Sequence, residues 1–266
     1  NLTRKFGKSD YLLDYYDFVL RRLDSWGVNT IGNWSGRELM QQRRKPYVLS
    51  LLERDASLPG LTGVKFYDCF HADFTTKMNA AVQAAFGSNA AAAQSIDDPM
   101  CIGYFIDNEL TFSGLLAAAL KLDVSTSAAK RTFLDQAKAT YGTVAALNSA
   151  WETTFPSLAA VDSMTNEPPG AAFAEDRNEF EEVWCERYFQ ACHDAIAAMA
   201  PDKLYLGSRF VGLRQSTRLW RAASKHCDVL SVNAYANSIF NLPATIANSS
   251  VPERPILIGE FHFGAT

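Results

Sequence analysis

The stretch Cys101-Ile102-Gly103-Tyr104-Phe105-Ile106-Asp107-Asn108-Glu109 decides how this chain is read. An almost unbroken apolar run follows the breaker Asp98-Pro99 and ends abruptly in polar side chains. A short continuous apolar run is what a strand buried on both faces looks like, as in parallel sheets covered by helices. Working outward, similar short runs recur at residues 28–32, 46–52, 204–208, 229–233 and 256–259. Between them lie helical patterns. Residues 11–26 carry Leu12, Tyr16, Val19, Leu20 and Leu23 at helical spacing and stop at Gly27, a suitable cap. Residues 73–86, 90–97, 173–199 and 217–224 are further helices, and 115–155 is an Ala-rich helical stretch broken at Gly142-Thr143. Residues 158–170, with Pro168-Pro169-Gly170, form a loop.

Strands separated by helices predict an α/β fold with a parallel sheet. A doubly wound sheet and a (β/α)8 TIM barrel both fit that order. No G-x-G-x-x-G or G-x-x-x-x-G-K-[ST] follows any strand, so nucleotide-binding versions lose support. The barrel is favoured by where polar residues fall. Nearly every strand ends in side chains able to do chemistry: Asn33-Trp34, Asn108-Glu109, Arg209, Asn233 with Tyr235, and Glu260 with His262. Barrels assemble their active sites from the C-terminal ends of several strands.

Composition narrows the classes further. The 266 residues are 48% hydrophobic and 20% charged, with a net charge of −4. That excludes disorder and argues against a nucleic-acid partner, which needs a basic stripe. Arg43-Arg44-Lys45 and Arg21-Arg22 are too short for one and read as solvated faces. No apolar run approaches about 18 residues, so no membrane span is expected. Cys69, Cys101, Cys185, Cys192 and Cys227 are dispersed and odd in number, without a C-x2-C pair, and read as free buried thiols. His193 and His226 read as structural. No ligand spacing suggests a metal, and no cofactor is implied.

Glu109 and Glu260 each follow a strongly apolar strand. Two carboxylates flanking one cleft are what hydrolysis of a glycosidic bond needs: one protonated, to give a proton to the leaving oxygen, and one ionised, to attack the anomeric carbon or activate water. Arg209 and Tyr235 would stabilise a charge on Glu260, whereas Asn108 brings none to Glu109. Trp34 offers a face for stacking on a sugar and Asn33 both a donor and an acceptor, while His262 is placed to meet sugar hydroxyls.

Several stretches together resemble a known group. These are Lys5-Phe6-Gly7, the run from Leu23 to Ser35 containing Trp26-Gly27-Val28-Asn29-Thr30-Ile31-Gly32-Asn33-Trp34, the run from Gly103 to Leu110, Leu204-Tyr205-Leu206-Gly207-Ser208-Arg209-Phe210, and Ile258-Gly259-Glu260-Phe261-His262. In that order they resemble the β-agarases of glycoside hydrolase family 50 and, more distantly, the β-galactosidases of family 42, both in clan A. Tyr141-Gly142, Leu147-Asn148 and Ala150-Trp151 are similar to an insertion after the fourth strand of those families. The resemblance implies a (β/α)8 barrel and a retaining, exo-type enzyme acting on a β-linked galactose-containing polysaccharide, agarose above all. Smaller β-galactosides, or saccharide binding without catalysis, are the alternatives. It implies that Glu109 is the acid/base and Glu260 the nucleophile, that Asn108 bonds the sugar 2-hydroxyl, that Tyr235 donates to the nucleophile, and that the loop carrying His71 lies near the site, with Asp68 an alternative anchor of that loop. Asn233 supports the same strand-end cluster. A secreted or periplasmic location is implied too.

Against the family pattern, only six strands are counted, the first and eighth being absent. Residues 1–266 are therefore expected to form a single catalytic barrel domain belonging to a longer protein, unless short strands escape the reading.

Overall fold

The apolar run around Phe105 forms the middle strand of a three-stranded parallel sheet. The computed structural model describes residues 1–212, 215–235 and 254–262. Its strands are β1 (Tyr47–Leu52), β2 (Cys101–Ile106), β3 (Leu204–Tyr205), β4 (Phe210–Val211), β5 (Leu230–Ala234) and β6 (Ile256–Phe261). They pair, all parallel, in the orders β1-β2-β3 and β4-β5-β6. Every residue of β2 except Ile102 is buried, as is every residue of β5. That two-sided burial is why their sequences run apolar rather than alternating.

Residues 204–208, expected as one strand, instead belong to a longer extended run that bends where Gly207 (φ 78°) and Arg209 (φ 45°) turn left-handed. Before the bend it pairs with β2, and after it with β5. At the kink the Ser231 hydroxyl stands in for the missing ladder, donating to Leu206 O (2.7 Å) and accepting from Arg209 N (3.1 Å). The two sheets are thus joined through one bent segment into a single arc from β1 to β6.

The expected strand at residues 28–32 reduces to one bridge, Ile31 to Tyr47. Val28 loses its carbonyl to the Lys45 ammonium (2.8 Å), so the ladder stops short. Six strands are described, and they form an arc of two sheets; this is the α/β architecture the helix–strand order predicted.

The helices are α1 (Leu2–Phe6), α2 (Leu12–Ser25), α3 (Arg37–Met40), α4 (Phe74–Gly87), α5 (Ala90–Ser95), α6 (Leu115–Leu120), α7 (Ala128–Tyr141), α8 (Val144–Trp151), α9 (Ala171–Met199) and α10 (Thr217–His226). The helices α1 and α3 were not expected, being too short to show a period. The Ala-rich stretch breaks once more than its sequence suggested, between α6 and α7. There Ser127 caps α7 by accepting from Lys130 N, and the buried Lys130 ammonium closes α6 by donating to Leu120 O (3.0 Å) and Leu122 O (2.9 Å). Residues 159–163 form a 3-10 turn inside the expected loop.

The long helix α9 organises the core. Phe173, Phe180, Trp184, Tyr188, Ala195 and Ile196 line its buried side. Phe180 and Trp184 pack on Phe70, and Tyr188 packs on Phe66 and Tyr67. Each large side chain so buried contributes about 1.5–3 kcal/mol. The five cysteines are free and buried, as expected. His193 lies beside Asp194 on α9 itself, and His226 at the end of α10 reaches Glu186 of α9. No described helix is long and apolar enough to cross a membrane.

Candidate active site

Glu260 near the end of β6 sits opposite Asn233 of β5 in the parallel register. Its Oε1 accepts from Trp34 Nε1 (3.0 Å) and from Arg209 Nη1 (3.0 Å), and its Oε2 accepts from the Tyr235 hydroxyl. Burial opposes the charge on this carboxyl. The bonds from Tyr235 and Trp34, the Arg209 charge and the Asn233 amide outweigh it and hold the group below its ordinary value. The same bond to Glu260 pushes the Tyr235 phenol up to about 12. Arg209 has no exposed surface; its guanidinium lies 4.5 Å over Trp34 and 5.2 Å over Phe105.

Trp34 follows the bridge residue Ile31 at one edge of the arc, and Glu260 lies on the strand at the other. Their hydrogen bond brings the two ends of the arc together above the C-terminal ends of the strands. Gly259 makes this possible: a Cβ there would come within 2.6 Å of Arg209 Cδ.

Glu109 approaches from β2. Asn233 Nδ2 donates to its Oε1 at 2.7 Å, while its backbone N–H reaches Ser208 O (3.1 Å) and Arg209 O (3.2 Å). The residue is half-buried, and the amide its carboxylate accepts from is neutral. One amide thus touches Glu109 and acts on Glu260, and the sequence-derived pair is brought together.

The backbone here is strained. Trp34 (φ 67°), Asp107 (φ 61°), Glu109 (φ 51°) and Arg209 (φ 45°) all adopt left-handed conformations, each costing about 1–3 kcal/mol. Polar atoms without a partner among the described residues collect at the same strand ends: both amide atoms of Asn33, Oδ1 of Asn108 and Asn233, Oγ of Ser208, and Nε and Nη2 of Arg209. Buried polar atoms are normally paired. Such a set suits a ligand rich in hydroxyl groups. A 320 Å³ cavity lined by Asn33, Trp34, Ser50 and Glu53 opens beside it.

The remaining expectations divide. His262 joins the cluster by packing its ring on Tyr235, centroids 4.8 Å apart. His71 has a local hydrogen bond, accepting from Asp73 N (3.2 Å) at the start of α4. Asp68 is the anchor of that loop: it accepts from Phe70 N (3.1 Å) and from Ala129 N (3.0 Å) at the start of α7. Reading the sequence missed Asp107, Tyr67, Tyr188 and Lys65, the last donating to Asn108 O (2.6 Å). An acidic residue directly after a buried strand was the available signal for Asp107.

No family model matches the chain. By sequence it is 30% identical over 291 residues to "Beta-agarase A" of Vibrio sp. (strain JT0107), covering 100% of this chain and 28% of that protein. It is 26% identical over 281 residues to "Beta-agarase B" of the same organism, covering 100% of this chain and 29% of the relative. The chain therefore spans less than a third of the length of these curated relatives. Among solved structures, that of an agarase, AgWH50C, superposes with a TM-score of 0.85 at 27% identity, covering 99% of this chain and 39% of the other. In sequence and in fold, the chain is similar to β-agarases.

Proposed function

We propose that this chain is the catalytic domain of a retaining glycoside hydrolase that cleaves β-linked galactose units of agarose from a chain end. The observation that carries this reading is that Asn233 of β5 donates to Glu109 and stands opposite Glu260 of β6 in the parallel register, so carboxylates from separate strands gather around one residue. Retention uses carboxyl groups about 5–5.5 Å apart and inversion about 6.5–9.5 Å, to admit a water; a pair gathered around one residue suits the closer arrangement.

The environments support a division of roles. Glu260, with its charge stabilised by Tyr235, Trp34 and Arg209, attacks the anomeric carbon. Glu109 gives its proton to the departing glycosidic oxygen, then takes one from the water that releases the sugar. Asn108 offers its amide to the sugar 2-hydroxyl, Trp34 its exposed face to a sugar ring, and Asn33 and His262 polar contacts at the rim. His71 lies on the loop held by Asp68. The curl of the arc, joined end to end by Trp34 and Glu260, supports a (β/α)8 barrel with residues 1–266 as one catalytic domain. Secretion or a periplasmic location belongs to the same reading, because a gel-forming polymer has to be met outside the cytoplasm.

Incubation with agarose, neoagaro-oligosaccharides and nitrophenyl β-galactoside tests the substrate. Disaccharide release from agarose is expected, and turnover of the galactoside alone would replace agarose by smaller β-galactosides. Saccharide binding without any product would refute catalysis. Azide tests the roles: Glu260→Ala should be rescued with an inverted product and Glu109→Ala with a retained one. The opposite pair of products would reverse the assignment.

A further inference from the structure

Asp107 has no exposed surface, yet it carries a carboxylate. Its Oδ1 accepts from Arg54 N (2.6 Å) and the Tyr67 hydroxyl (3.0 Å), and its Oδ2 from the Tyr188 hydroxyl (2.9 Å). Its backbone N–H donates to Leu52 O (2.7 Å). The side chain thereby ties the end of β2 to the loop after β1, through Arg54 and Tyr67, and to the middle of α9, through Tyr188. All three donors to the carboxylate are neutral groups, the Arg54 contribution being a backbone amide. Burying a carboxylate whose direct donors are all neutral, with the Arg54 charge acting only from a distance, is expensive, and a turn that only had to be stable could be built without one.

The cost falls at an informative place. Asp107 and Glu109 both have positive φ, so the chain twists sharply between them. The Asp107 carboxylate is directed to Tyr188 of α9, and the Glu109 carboxylate to Asn233 of β5. Neither left-handed residue is a glycine, so neighbouring contacts have to hold the turn. Glu109 itself is held by backbone bonds to Ser208 and Arg209 and by one side-chain bond, which leaves the incoming side of the turn to Asp107.

We propose that Asp107 is the positioning residue of Glu109: by clamping β2, the loop after β1 and α9 to one carboxylate, it holds the left-handed turn that aims the glutamate at the glycosidic oxygen. The inference rests on the reading of Glu109 as acid/base, and the test separates the two. Asp107→Asn keeps the size and one acceptor, and Tyr188 can turn its hydroxyl to Ile106 O, already 3.3 Å away, so the variant can fold. Tyr188→Phe removes one donor and gives an independent second variant.

The readout is kcat/KM over a series of aryl β-glycosides of the disaccharide released from agarose, from phenyl to dinitrophenyl, with thermal melting alongside. Poor leaving groups need a well-aimed proton donor and good ones do not. Both variants should therefore lose about 10- to 100-fold on the phenyl substrate and less than about threefold on the dinitrophenyl one, as expected for misplacing a catalytic group by up to 1 Å. Equal losses across the series, or a lowered melting temperature with unchanged kcat/KM, would make Asp107 structural only and overturn the proposal. Glu109→Gln is the control for the underlying reading. If it shows no dependence on the leaving group, Glu109 is not the acid and both readings fall; if it shows one while the Asp107 and Tyr188 variants do not, only the positioning role falls.

Discussion

Replacing Gly259 by alanine should disable the nucleophile without touching it. A Cβ at this position would lie 2.6 Å from Arg209 Cδ, 3.1 Å from its Cγ and 3.1 Å from Asn233 Oδ1. Ordinary contact begins at 3.4 Å, so the arginine stem has to retreat by about 0.8 Å. It has no room for that: Arg209 is fully buried and packed against Trp34 and Phe105. Overpacking of this kind costs about 1–3 kcal/mol. In a chain of this size each kcal/mol lowers the melting temperature by about 2–4 °C. The guanidinium that bonds Glu260 at 3.0 Å moves with its stem, and kcat/KM should fall about 10- to 100-fold. Calorimetric melting and steady-state kinetics on the cleaved oligosaccharide measure the two effects. A double-mutant cycle with Arg209→Ala identifies the cause, because shortening the arginine removes the clash. The two substitutions should couple by at least about 1 kcal/mol in stability, whereas independent sites add to within about 0.5 kcal/mol. Additive behaviour, or an alanine variant of wild-type stability and activity, would refute the claim that Gly259 is required to seat Arg209 beside Glu260.

Tyr235→Phe should move the acidic limb of kcat/KM to higher pH: Glu260 is held below its ordinary value partly by this hydroxyl, so activity that is lost as pH falls through the depressed value is lost earlier without it. The same sign applies to stability, since the contribution of the depressed group is present above the ordinary carboxylate value and disappears as pH falls through the folded one; an unmoved limb in a pH–rate profile would contradict this. Trp34→Phe keeps a ring over Arg209 and deletes only the donor to Glu260, which at this half-exposed site is worth about 1 kcal/mol, so kcat/KM should drop about fivefold while KM for the sugar stays close to wild type. Asp68→Ala leaves Phe70 N and Ala129 N without their acceptor and should lower unfolding free energy by about 1–3 kcal/mol in urea titrations, with the azide products of Glu109 and Glu260 variants unchanged.

The part of this protein legible in its sequence is what neighbouring residues dictate to one another. The strand around Phe105 could be recognised because burial on both faces demands an unbroken apolar run, and α9 because a buried stripe repeats at helical spacing through Phe173, Phe180, Trp184 and Tyr188. Glu109 and Glu260 stood out for the same local reason, each being a charged group at or just beyond the end of such a run. Short elements carried no such pattern: α1 and α3 are only a turn or so long, and the break between α6 and α7 depends on Lys130 reaching back to carbonyls 8 and 10 residues away in the chain. What remained was decided by tertiary contact alone. Trp34 and Glu260 are separated by 226 positions, Asn233 and Glu109 by 124, and Tyr188 and Asp107 by 81. No local propensity encodes such pairs. They exist because parallel strands, bent at Gly207 and Arg209, curl until their C-terminal ends face one another, and only then do two glutamates, an amide and a guanidinium share one space.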